Sequence, residues 1–120
     1  MQKFLTVLAI VAASPSISQE ADGQVEFNNH CRTCHSVEEG DNRMGPTLHA
    51  VIGRKAGSVP GYGYSDSMAG SDVVWDAETL DAFIEAPDAV VPGNAMKPYS
   101  GLTDPAVREL AVSYLSETET

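Results

Sequence analysis

The sequence predicts an all-α fold with long loops, and three observations carry the prediction. Two segments place apolar residues at the 3.6-residue helical spacing behind cap residues at Asp76 and Asp104. The stretch from 38 to 74 holds seven glycines and two prolines with no sustained period, so it reads mainly as loop. No run alternates apolar and polar residues as a half-buried strand does. Neither an internal repeat nor a linker divides the chain, which is short enough for one domain.

The elements follow in order. Residues 1–18 read as an export signal. Met1-Gln2-Lys3 is a short basic start, Phe4 to Ala13 is a largely apolar run of ten, and Ser16-Ile17-Ser18 offers small residues for cleavage. The run falls short of the ~20 residues that span a bilayer as a helix. The domain is therefore expected over 19–120, exported and periplasmic. Val25 and Phe27 mark a short helix running into Cys31, and Ser65 to Ala69 suits one helical turn. Asp76 caps a helix whose buried face is Leu80, Phe83 and Ile84, stopped by Pro87. Val90 to Leu102 returns to loop, with Pro92-Gly93 and Pro98. In the last helix Asp104 is the cap and Pro105 the first residue. Val107, Leu110, Ala111, Tyr114 and Leu115 form its stripe, expected to pack on the N-terminal helix.

Charge excludes some partners. The chain has 7 Lys+Arg against 17 Asp+Glu, a net −10. Taking away residues 1–18 removes Lys3 and leaves six basic against seventeen acidic residues, or −11. Such a chain binds nucleic acid poorly and is repelled by anionic membranes.

Cys31-Arg32-Thr33-Cys34-His35 holds the only two cysteines. C-x-x-C-H is the attachment signature of a c-type haem. Each thiol adds across one vinyl group, and the following histidine offers its imidazole to the iron. A thioredoxin-like dithiol needs a βαβ surround. A structural zinc site needs four ligands, and two cysteines and three histidines without a second pair at metal spacing do not supply them. A disulfide across so short a loop is strained. The haem reading alone gives His35 a task. In a chain this small the haem itself makes up much of the core, so the haem-free protein is expected to fold poorly.

The second axial ligand is sought among the methionines. Met1 leaves with the signal, and Met44 follows His35 by only nine residues in the loop leaving that side. Met96 lies in a loop restricted by Pro92 and Pro98 between two helices, and is preferred; Met68 is the rival, or core filler near the ring.

Over nearly its whole mature length the chain resembles the class I c-type cytochromes of the mitochondrial and bacterial periplasmic type. The resemblance rests on Gly23 and Phe27 before the haem motif, then Gly45-Pro46-Thr47-Leu48-His49, Gly53-Arg54-Lys55, Gly61-Tyr62-Gly63-Tyr64-Ser65-Asp66, Trp75, Glu78-Thr79-Leu80, Pro92-Gly93-Asn94-Ala95-Met96, Gly101-Leu102 and Tyr114-Leu115. It implies the small cytochrome c fold, with N- and C-terminal helices crossing and long loops wrapping one covalently bound haem c. It also implies Met96 as iron ligand and the Pro46 carbonyl as the group orienting His35. Tyr64, Trp75 and Arg54 fall where the family holds the haem propionates, and Gly23, Phe27 and Tyr114 fall at the helix crossing.

The departures are informative. Met68 stands where mitochondrial members usually have a polar residue, and Phe83 replaces a tyrosine whose hydroxyl approaches the methionine sulfur. The loop after Met96 is one residue longer. His30, Asp88 and Ala95 fall on typical lysine positions, while Arg32, Arg43 and Lys97 remain near the exposed edge. Docking is therefore expected to depend less on salt than in mitochondrial members.

The function implied is a monomeric, soluble periplasmic electron carrier and not an enzyme. Its partners would be membrane redox complexes (a cytochrome-bc complex, a terminal oxidase or a reaction centre) or a periplasmic dehydrogenase. The alternative is a peroxidase-like enzyme or gas-binding protein with an open sixth position. His30 and His49 are isolated, and no paired carboxylates suggest acid–base catalysis.

Overall fold

The computed structural model describes residues 17–118. The expected export signal lies outside them, apart from Ile17 and Ser18, which stand in the first turn of α1. Five helices are present among the described residues: α1 (Ile17–His30), α2 (Asp66–Ala69), α3 (Ala77–Glu85), α4 (Pro87–Val90) and α5 (Pro105–Ser116). Lys55 and Val74 form an isolated antiparallel bridge, and the described residues contain no strand. None of their helices is long and apolar enough to cross a membrane.

Local chemistry sets the helix starts. Asp76 accepts from the Thr79 amide while the Thr79 hydroxyl reaches back to the Asp76 amide, a reciprocal capping box. Asp104 accepts from the Ala106 amide ahead of Pro105, and Ser65 caps α2 through the Met68 amide. Pro87 ends α3 and also opens α4, a turn absent from the sequence expectation. The physical reason is that the position that cannot continue one helix suits the first residue of the next.

The terminal helices cross where α1 has no side chain. A Cβ on Gly23 would lie 2.6 Å from the Leu110 carbonyl oxygen and 2.9 Å from Tyr114 Cβ. One turn further on, the Phe27 and Tyr114 rings pack at 5.4 Å. Replacing Gly23 by leucine forces the helices apart. We expect a loss of about 1–3 kcal/mol, read as a lowered Tm with the visible spectrum as a control.

The α3 face is buried as expected at Leu80, Phe83 and Ile84. That of α5 is rotated from its apolar stripe: Arg108, Ala111, Val112 and Leu115 are buried, while Val107, Leu110 and Tyr114 are half-buried. The helix packs on both α1 and α3, so its covered arc is wider than the stripe. Arg108 tolerates burial because its donors are met. Nε bonds Asp81 and Nη1 the Leu102 carbonyl, both at 2.9 Å, and Glu85 lies 3.5 Å from Nη2. The core continues through Phe27, Val51, Trp75, Phe83 and Val91, with the Trp75 and Phe83 rings 4.9 Å apart. Several of its members also form the walls of a cavity.

Candidate haem site

The final turn of α1 runs directly into the attachment motif. The Cys31 and Arg32 amides both donate to the Phe27 carbonyl, and those of Cys34 and His35 donate to the Cys31 carbonyl. Continued helical bonding thus turns both thiols and the imidazole toward one cavity of about 370 Å³. Both cysteines are free. Burial, with Cys34 adding a smaller effect, pushes the Cys31 thiol up to about 11. That is opposite to the acidified thiol of a redox dithiol.

His35 is held by the next loop. Its Nδ1 is 2.8 Å from the Pro46 carbonyl, which can only accept, so Nδ1 carries the proton and Nε2 keeps a free lone pair. Burial lowers the His35 pKa, the Pro46 bond opposes this, and Arg54 lowers it further, so the neutral ring is favoured. The chain passes so close that only glycine fits beside the ring: a Cβ on Gly45 would fall 2.7 Å from Nδ1. A Gly45→Ala variant should displace the imidazole. We expect it to cost about 1–3 kcal/mol and to broaden the haem absorption bands.

This loop is tied throughout. Gly45 N–H donates to the Cys34 carbonyl at 2.7 Å, and the buried Thr47 hydroxyl donates to the Glu38 carbonyl at 2.6 Å. Arg54 caps the Thr47 and His49 carbonyls, both at 2.9 Å. Burial lowers the Arg54 pKa, opposed by Tyr64. Tyr64 accepts from the Val59 amide at 3.0 Å, leaving its own hydroxyl proton free to donate. Arg54, Tyr64 and Trp75, the three residues matched to propionate binding, all line the cavity.

A second wall comes from residues 95–99. Buried Asn94 organises it: its side-chain amide donates to Asp88 and to the Val91 carbonyl, and its oxygen accepts from the Met96 amide, each at 2.9 Å. Sequence reasoning assigned Asn94 no role. Its place after Pro92-Gly93 was the available signal, because an asparagine there can bond the turn that precedes it. Tyr99 donates to the Ile84 carbonyl at 2.6 Å, and burial pushes its hydroxyl up to about 12. Met96 and Met68 both line the cavity, so the structure brings the preferred ligand and its rival together; Met44 lines it too, although 69% exposed.

The cavity fits a flat apolar group. Leu48, Val51, Leu80, Ile84 and Leu115 provide hydrocarbon walls, beside two free thiols, an imidazole with an available Nε2 and thioether sulfurs. Among the described residues no cluster of three or more His, Cys, Asp or Glu could hold a bare metal ion. The donor set is that of a metal carried inside a covalently held macrocycle.

Fold and site together define a small single-haem protein of the c type. The chain is 45% identical over 85 residues to cytochrome c2 iso-2 of Magnetospirillum fulvum, covering 71% of this chain and 88% of that protein. It is 39% identical over 94 residues to cytochrome c2 of Rhodopila globiformis, covering 78% and 88%. It is 37% identical over 92 residues to cytochrome c of Arabidopsis thaliana, covering 76% and 81%. No family model matches. The chain belongs to the class I c-type cytochromes, a family of electron carriers with the all-α cytochrome c fold and one covalently bound haem c. Cys31, Cys34 and His35 fit its attachment motif.

Proposed function

We propose that the protein is a soluble periplasmic carrier of single electrons, with His35 and Met96 as axial ligands of its haem iron and residues 1–18 as a cleaved export signal. Its partners are a cytochrome-bc complex, a terminal oxidase, a photosynthetic reaction centre or a periplasmic dehydrogenase. The observation that carries the reading is the pairing of a His35 ring fixed by Pro46 with a Met96 backbone fixed by Asn94, both on one apolar cavity.

Bound there, a haem supplies a one-electron iron couple. The chain's residues set its terms. The Pro46 carbonyl keeps His35 in the tautomer that presents Nε2 and raises its basicity. With a haem bound, the Met96 thioether would favour the reduced iron and, as its second ligand, would leave no open position for a substrate. The loops that hold both ligands are hydrogen-bonded on either flank, so little has to move when the charge changes.

The test is spectroscopic. The oxidised holoprotein should show the methionine-sulfur-to-iron charge-transfer band, and the reduced protein should not bind carbon monoxide. A missing band, or ready carbon monoxide binding, would overturn the carrier reading in favour of a peroxidase-like or gas-binding protein.

A further inference from the structure

We propose that the mouth of the haem cavity is a docking surface for a redox protein whose own docking face is apolar and low in charge, with Met44 as the anchoring side chain. The proposal rests on the carrier reading and adds the chemistry of the partner.

Met44 has three properties of an anchor. Among the described residues it is the most exposed large hydrophobic at 69%, ahead of Val25 and Val74. It lines the cavity, as neither of those does. Its backbone is also held: the Tyr62 hydroxyl donates to the Met44 carbonyl at 2.7 Å, and its neighbours are bonded to each other through Arg43 N–H and the Gly45 carbonyl at 2.9 Å. A held backbone spares the cost of ordering the loop when the side chain is covered, leaving only the rotamer freedom of the methionine itself to be lost. Thr33, Ala95 and Pro98, also exposed and on the cavity, extend the surface without charge.

Two of the three cations beside this surface are paired within the chain itself. Arg43 bonds Asp41 through Nε at 3.2 Å and Nη2 at 3.0 Å. Lys97 bonds both Asp88 oxygens, at 3.0 and 2.9 Å, and Asp88 is further held by Asn94. Arg32 is the cation of the attachment loop with no ion pair among the described residues. An acidic partner would meet Asp41 and Asp88 as well as a body of net −10. A basic partner would be drawn to that body without being oriented at the mouth. Paired charges around an exposed apolar centre favour a partner with neither excess.

Voltammetry of the holoprotein tests this on gold electrodes coated with monolayers of equal length ending in methyl, carboxylate or ammonium groups. Electron transfer should be fastest on the methyl surface and change less than about twofold as salt rises from low to physiological strength. Met44→Ser should slow it roughly tenfold there, while Met44→Leu retains it. An Asp41→Asn/Asp88→Asn variant should gain a salt-sensitive response on carboxylate, because Arg43 and Lys97 are released. A faster response of the unaltered protein on carboxylate or ammonium, or equal rates for Met44→Ser and Met44→Leu, would overturn the proposal. A protein with the charge-transfer band intact but no methyl preference refutes the docking surface alone; loss of the band refutes the carrier reading beneath it.

Discussion

Replacing Met96 by alanine should produce a protein that binds carbon monoxide at one equivalent per haem when reduced and lacks the methionine–iron charge-transfer band when oxidised. The alanine leaves the second axial position to water or exogenous ligands, and the reduction potential should fall because the thioether no longer favours the reduced iron. Stability should drop as well, by about 2–5 kcal/mol for truncating a large side chain at a packed site. The control is built into the cavity, since Met68 lines it too. Met68→Ala should keep the band and exclude carbon monoxide. The opposite pattern, with Met96→Ala unchanged and Met68→Ala open, would assign the ligand to Met68.

The second large effect concerns the attachment itself. A Cys31→Ala/Cys34→Ala chain prepared without haem should lose most of its helical circular dichroism at room temperature and show no cooperative thermal transition. An unfilled cavity of about 370 Å³ leaves the apolar side chains that line it without packing partners. Domains of this size have only about 5–15 kcal/mol of stability in all, so the loss of those contacts weighs heavily against the fold. A sharp unfolding transition close to that of the holoprotein would show instead that the helices and loops hold themselves.

Local relations made much of the fold legible. Asp76 and Asp104 cap helices that begin where their spacing indicates, and Leu80, Phe83 and Ile84 form the buried face of α3. The N-terminal helix proves longer than the short one expected, because polar positions on its outer face hide its period. Arg108 escaped notice for a related reason: an apolar stripe reports only the apolar part of a covered surface, and the burial of a guanidinium depends on α3 arriving with Asp81. Asn94 was visible as part of a turn, but its bonds to Asp88 and Met96 exist only once the loop has closed.

The same division runs through the site. The sequence by itself determined the covalent chemistry. Two thiols and an imidazole within five residues need only the reach of one helical turn, and the family resemblance extended that to the fold and cofactor. Only the tertiary structure decided what surrounds them. It passes Gly45 over His35, gathers Met44, Met68 and Met96 around one cavity, and ties Lys97 to Asp88, while the Pro46 bond to Nδ1 is the one that the resemblance already implied. Bonds within one turn are dictated by neighbouring residues, whereas contacts between loops depend on where every intervening segment comes to rest.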